Sequence, residues 1–326
     1  MRKEREDMRG LTWLSAVSAI VLLVVSGLGG CEKPSGKIRL ALNWKPEPEF
    51  GGIYAAQQQG LFKANHIEVE VMPGGAGAPT WQLVAAGKVP FAIASADEVI
   101  IARAQGADVV AFFATYQTCP QGIMVHEERG LKSISDVFQG GTLAIEKGLA
   151  YSNYLEKKYG FDKIKLVSYD GGVSSFMADR NYAQQCFITS EPLTARTHGA
   201  RPQVFLIADA GYNPYTAVLI TRGNYARQNP QIVQAMVKTL REGWQAYLND
   251  PKPSNALMHT LNTEMDEPTF AQAAAAQTPL ILPPDTAPAQ IGTMTRDRWV
   301  QLTQQLLELK VIEKPVAADA CFVAGL

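Results

Sequence analysis

Cysteine is scarce in this chain: four in 326 residues, at Cys31, Cys119, Cys186 and Cys321. No two are close in sequence, so the paired spacing of a zinc site is missing. The three that follow Cys31 allow at most one intrachain bridge. The histidines, His66, His126, His198 and His259, are equally scattered. Single buried or surface residues are the expectation for all seven, with no metal site. Charge of one sign is also lacking, since 30 Lys and Arg against 31 Asp and Glu leave a formal net charge of -1. That balance gives no electrostatic case for nucleic acid or for a strongly charged partner. There is no Gly-x-Ser-x-Gly elbow of a serine hydrolase. The run Gly74-Gly75-Ala76-Gly77 has neither dinucleotide-fingerprint spacing nor the Gly-Lys-Ser/Thr of a nucleotide loop. Cys119 and Cys186 have no local nucleophile signature, and there is no long repeat and no low-complexity segment. These absences fit a binding protein that is not an enzyme and needs no cofactor.

The rest of the composition is ordinary, 47% hydrophobic and 19% charged. The length suits two domains of about 100 to 200 residues each. Arg2, Lys3, Arg5 and Arg9 precede a nearly unbroken apolar run from Leu11 to Leu28, which ends in Leu28-Gly29-Gly30-Cys31. A basic start, an apolar middle and small residues before a cut describe an export signal. A retained membrane anchor is the alternative, because the apolar run is close to spanning length. The cysteine at the cut favours export. Leu-Gly-Gly-Cys resembles a bacterial lipoprotein box, which implies that residues 1–31 are a signal segment ending in a lipidated Cys31. The remainder would then sit outside the cytoplasm at a membrane surface, on the periplasmic side or at the cell surface, behind a short tether from Glu32 to Gly36.

Beyond the tether, strands and helices alternate. Strands are expected at Lys37–Leu42, Ile67–Met72, Phe91–Ala94 and Asp108–Thr115, with helices after Gly52, over Trp81–Gly87 and over Val99–Arg103. The pattern changes between Thr118 and Val125, where a crossover into a second lobe is expected. Strands at Gly141–Ile145, Lys165–Tyr169, Gln184–Ile188 and Val204–Ile207 then alternate with helices over Leu149–Tyr159, Val173–Asp179 and Thr194–His198, which reads as a parallel sheet covered by helices. A long apolar strand, Ala217–Thr221, carries the chain back. From Asn229 the chain is helical, and Ile232, Met236, Leu240 and Trp244 recur every four residues on a face that packs on the first lobe. The expected division is 37–120 with 216–326 as lobe one and 121–215 as lobe two. Two crossovers make a hinge, and closure about a hinge is an established way to trap a ligand.

The organising stretch runs from Asn43 to Ala56: Asn-Trp-Lys-Pro-Glu-Pro-Glu-Phe-Gly-Gly-Ile-Tyr-Ala-Ala. Pro46 and Pro48 bias Lys45 and Glu47 away from helix and hold an extended loop. It displays an indole and carboxylates at the carboxyl end of a first strand, where ligands sit in open α/β sheets. Asn-Trp-x-Pro, a short polar run and then Gly-hydrophobic-Tyr-x-Ala resemble the start of periplasmic substrate-binding proteins related to thiamine-pyrimidine synthase. The wider family includes binders of sulfonates and nitrate, and the resemblance covers nearly everything from Lys37 onward. It implies an α/β fold of periplasmic binding protein type II. It also implies a monomeric solute receptor that delivers a small molecule to the permease and ATPase subunits of an ABC importer. A thiamine-precursor pyrimidine is the first ligand implied. A flavin, then a sulfonate- or nitrate-like anion, are alternatives, and a pyrimidine synthase is a distant one. The fungal synthase of this family carries a Cys-Cys-Cys-Phe-Cys stretch that falls on Gly211–Tyr215 here, where no cysteine stands. Its pyridoxal lysine falls near Ala94 and its consumed histidine near Glu98.

Candidate ligand contacts come from these segments. The opening stretch supplies Asn43, Trp44, Glu47 and Tyr54. Gly74 and Gly75 sit in a turn whose N–H groups can face a ligand oxygen, though a plain turn is as good a reading. Ser95 ends the third strand, with Asp97 beside it as an ordinary helix cap. Tyr116, Tyr169, Tyr212 and Tyr215 lie at strand ends, and Tyr and Trp stack on flat rings while keeping a polar handle. Thr189-Ser190-Glu191-Pro192 resembles a turn common in this family, which implies a cleft-facing Glu191. That carboxylate accepts hydrogen bonds from a ligand amine, caps the following helix, or does both.

Overall fold

The computed structural model describes residues 36–284 and 286–325. The lipoprotein box and Cys31 lie outside them.

Among the described residues ten strands form two mixed sheets. The first sheet holds β1 (Ile38–Ala41), β2 (Val69–Met72), β3 (Phe91–Ala94), β4 (Val109–Tyr116) and β10 (Thr216–Arg222), in the order β2-β1-β3-β10-β4. The second holds β5 (Gln121–His126), β6 (Thr142–Ala144), β7 (Lys165–Val167), β8 (Tyr182–Phe187) and β9 (Pro202–Leu206), in the order β7-β6-β8-β5-β9. β1 pairs in parallel with β2 and β3, and β6 does so with β7 and β8. β10 runs antiparallel between β3 and β4, and β5 runs antiparallel between β8 and β9.

The second sheet corrects the expectation of a parallel sheet. Gln121–His126, expected as part of a crossover, is an interior strand buried from Gly122 onward. Its Cys-Pro-Gln-Gly approach reads as a turn, and only the burial of Ile123, Met124 and Val125 against both neighbours makes it a strand. Every residue of β4 is buried although it ends the first sheet. Its outer side is covered by single bridges from Ala111 to Phe322 and from Ala114 to Gly292. The C-terminal segment thus shields an edge that would otherwise expose unpaired backbone groups.

The chain passes from sheet to sheet at Gln117–Pro120 and returns through 207–215. Both passages are pinned. The N–H groups of Gln117 and Thr118 donate to Leu280 O at 2.7 and 3.1 Å. Arg298, on the helix Arg296–Glu308, donates from Nη1 to Gln117 O and from Nε to Asn213 O, at 2.5 and 2.8 Å. Its Nη2 reaches Asn213 Oδ1 and Pro214 O, and the guanidinium carbon lies 3.9 Å from the centre of the Tyr215 ring. A rigid planar fork suits such a clasp better than a point charge would. One side chain therefore ties the outgoing and returning segments together.

The 20-residue helix Pro230–Asn249 buries Met236, Leu240 and Trp244, which is the face read from the periodicity. It packs on the helix Gly51–Gln58. A Cβ at Gly52 would stand 2.4 Å from the Trp244 ring, and one at Gly243 would stand 2.1 Å from Gly52 O. The two helices touch backbone to backbone there, and no side chain fits.

Candidate functional site

The loop Asn43–Phe50 is held by its own backbone. Pro46 O accepts from Asn262 Nδ2 at 3.2 Å and Pro48 O accepts from Gln277 Nε2 at 2.8 Å. Gly74 N donates to Trp44 O at 3.0 Å, and Pro48–Phe50 closes a turn of 3-10 helix. A Cβ at Gly74 would sit 2.1 Å from Leu42 O, so that glycine serves the packing of two backbones. Gln277 is fully buried and also accepts from Tyr116 Oη at 2.7 Å. The prolines stiffen the loop, and two amide side chains fix where it lies.

Residues from both sheets line a cavity of about 320 Å³, within the range of small-ligand sites. Of the expected contacts, Asn43, Trp44, Glu47, Ser95, Tyr169, Glu191 and Tyr212 line it. Trp44 is partly buried, and its Nε1 donates to Glu47 Oε1 at 3.3 Å. The other expected contacts stand away from the lining. Tyr54 is buried in the helix Gly51–Gln58. Tyr116 is the last residue of β4, one beyond the expected end, and its ring turns into the core toward Gln277. Tyr215 lies under Arg298, with its Oη accepting from Thr295 N at 2.9 Å. Gly74 belongs to the backbone contact above, and Gly75 sits in an open turn.

Sequence reasoning missed most of the polar wall. Asp97, expected only to cap a helix, accepts from Tyr212 Oη at 2.8 Å, and the cap is Ser95, whose N–H donates to Glu98 Oε2 at 2.9 Å. Glu146, Tyr151 and Gln185 form a linked group: Gln185 Nε2 donates to Glu146 Oε2, while Gln185 Oε1 accepts from Tyr151 Oη and Glu146 N. Glu191 opens the helix Glu191–Thr197, with Ser190 at its cap position. Its Oε2 accepts from Phe187 N at 2.8 Å and its Oε1 from Tyr169 Oη. Leu149 forms an apolar rim, 46% exposed.

Six carboxylates therefore line the cavity: Glu47, Glu49, Asp97, Glu98, Glu146 and Glu191. No Lys, Arg or His does so among the described residues. Burial, then the charge of Glu191, pushes the Glu47 carboxyl up to about 7. Burial, then Asp97, does the same for Glu98. Glu49 is held well above the usual carboxylate range by burial, Glu47 and Glu191, and burial raises Glu191. Groups that resist ionisation in a shared site are the signature of like charges packed together out of water. Among the described residues no group of three or more His, Cys, Asp or Glu is placed to hold a metal ion. Cys119, Cys186 and Cys321 are free and buried.

Comparison with known proteins adds the family. The chain is 19% identical over 319 residues to the formylaminopyrimidine-binding protein of Halalkalibacterium halodurans, covering 93% of this chain and 96% of that one. It is 26% identical over 230 residues to the riboflavin-binding protein RibY of Chloroflexus aurantiacus, covering 66% of this chain and 63% of that one. Its fold matches the crystal structure of the periplasmic aliphatic sulphonate binding protein SsuA of Escherichia coli, with a TM-score of 0.70 at 17% identity, over 89% of this chain and 94% of that one. The fold is that of the periplasmic binding proteins. A family profile described as NMT1/THI5 like matches residues 47–254, and with that match across most of the two sheets the chain belongs to the NMT1/THI5-like family.

Proposed function

We propose that this chain is the solute receptor of an ABC importer, lipid-anchored through Cys31 outside the cytoplasm, and that it traps a small flat heterocycle of the pyrimidine class. In this reading it works as a monomer without a cofactor. Two lobes, 37–120 with 216–326 and 121–215, close on the ligand about the passages that Arg298 clasps. Trp44 is the stacking platform contributed by the first lobe, and Tyr151 and Tyr169 are the rings contributed by the second.

The observation that carries this reading is the charge of the cavity. Among the described residues, six carboxylates and no cation face it. An anion such as a sulfonate or nitrate needs donors or positive charge, and burying it beside carboxylates adds repulsion to desolvation. A nitrogen heterocycle with amino groups supplies donors to those acceptors and a flat face to the rings. A flavin-sized ligand is the second reading, favoured by the relative named for riboflavin binding. The synthase reading has no support from side chains, because Ala94, Glu98 and Gly211–Tyr215 offer no lysine, histidine or cysteine at the positions where that chemistry was expected.

Native mass spectrometry of the purified protein tests the assignment. A co-purified mass matching a pyrimidine is the expected result. A bound sulfonate overturns the reading, and a flavin moves it to the second one.

A further inference from the structure

The unfilled atoms of the cavity wall say more about the ligand than its overall charge. Glu191 has both oxygens engaged, by Tyr169 Oη and Phe187 N. Asp97 is engaged at both oxygens by Tyr212, Ser95 and the Glu98 N–H. Glu98 is tied to Ser95, and Glu146 to Gln185. Glu49 is different. It is 7% exposed, it lines the cavity, and its carboxylate accepts no hydrogen bond among the described residues. Its backbone cannot drift, because it sits in the turn Pro48–Phe50, whose first carbonyl Gln277 holds. Beside it, Glu47 has Oε1 engaged by Trp44 Nε1, and the Ser190 hydroxyl is a second donor to the same carboxylate, which still has lone pairs to offer a ligand. Asn43 Oδ1, on the same loop, is likewise buried and without a partner among the described residues. The nearest cation on the loop, Lys45, is paired with Glu264.

We infer that the bound ligand is a cation of amidinium type, a ring bearing a protonated N–C–NH₂ edge, whose two N–H donors are taken by Glu49 and Glu47 while its ring lies on Trp44. This rests on the reading of the cavity as a solute site and deepens it. A buried carboxylate without a partner is destabilising, and a positive, hydrogen-bonding group removes that penalty. Charge-assisted, two-point contacts of an amidinium with carboxylate are among the stronger hydrogen bonds. A cationic ring over an indole adds a further attraction that a neutral ring lacks. Burial and the neighbouring carboxylates hold Glu47 and Glu49 against ionisation, and a cation bound between them would offset both effects.

Three probes of one shape and different charge test this: benzamidine, benzamide and benzoate, titrated calorimetrically into the full chain at a pH above about 7, where Glu47 is ionised. Benzamidine should bind at least tenfold more tightly than benzamide, and benzoate should not bind. Glu49→Gln, which keeps shape and removes charge, should erase the preference of benzamidine over benzamide while the melting curve stays cooperative. Benzamide binding as tightly as benzamidine overturns the cation and leaves the heterocycle reading standing. Benzoate binding best overturns both. Absence of benzamidine binding at millimolar concentration, or a preference that survives in Glu49→Gln, also overturns the inference.

Discussion

The substitution Glu47→Gln should make the unliganded protein more stable in neutral and alkaline solution and leave it unchanged in acid. The folded protein holds this carboxyl at about 7, against 4.5 for the free group. Between those values the unfolded chain has lost the proton and the folded one keeps it. Stability therefore falls as pH rises through the window, and the full penalty is present above about 7. A difference of about 2.5 between the two values corresponds to roughly 3 kcal/mol. The groups facing Glu47 are known. Burial and Glu191 raise it, while Ser190, Trp44 and Lys45 act against the shift. The glutamine of the variant would keep an acceptor for Trp44 Nε1 and carry no charge. Urea unfolding at a pH near 4.5 should give matching free energies for both proteins, and above about 7 the variant should exceed wild type by about 2–3 kcal/mol. For a chain of this size that is roughly 1.5 °C of melting temperature per kcal/mol. Wild-type stability that is flat or rising across the window, with no gain in the variant, would refute the reasoning.

Three further outcomes follow from the same geometry. Trp44→Ala should weaken a heterocyclic ligand by roughly 2–4 kcal/mol through lost stacking and apolar burial, while Trp44→Phe keeps much of the affinity. Because Trp44 is only partly buried, the melting temperature should move little, and a large thermal loss with unchanged affinity would place it in the core instead. Gln277→Leu strands Tyr116 Oη and Pro48 O and should cost about 2–5 kcal/mol in chemical unfolding; a loss below about 1 kcal/mol would show that the loop does not depend on it. Cys31→Ala should leave the domain folded and release it from the membrane fraction, since stable anchoring takes more than one acyl chain; retention equal to wild type counts against a lipid anchor.

Local pattern was enough for much of this molecule. The apolar run of β4 and the four-residue spacing from Ile232 to Trp244 report burial directly, so strand and helix were legible; the alternation of Ile38–Ala41 marked a strand as well, although Leu40 and Ala41 are both buried there. The double proline and the indole also marked the loop that meets the cavity. The antiparallel β5 was not legible, because strand direction is decided by which neighbours it meets, and its start resembles a turn. Tyr169 and Tyr212 line the cavity, and Tyr116 stands away from it for a related reason. A strand end does not say which way a ring turns, and Tyr116 turned inward on a one-residue extension of β4. The acidic wall was hidden because its members come from separate segments at 47–49, 97–98, 146 and 191. Only Pro-Glu-Pro-Glu-Phe carried a local sign of it, two carboxylates fixed in a stiff loop directly before an aromatic residue that must be buried.

The glycine contact between the helices Gly51–Gln58 and Pro230–Asn249 has a consequence for how such a receptor can diversify. The backbone that presents Trp44, Glu47 and Glu49 runs straight into a helix seated on its neighbour with no room for a side chain at Gly52 or Gly243. Changes on that side disturb folding and recognition together. The rim facing it from the second sheet, at Gly148 and Leu149, is open to solvent; Gly148 is held to glycine by its positive φ, but Leu149 can vary in size and polarity without touching that seam. A lineage that acquires a new solute would therefore keep its first-sheet loop as inherited hardware and rewrite the opposite rim, so new specificities should arise there first.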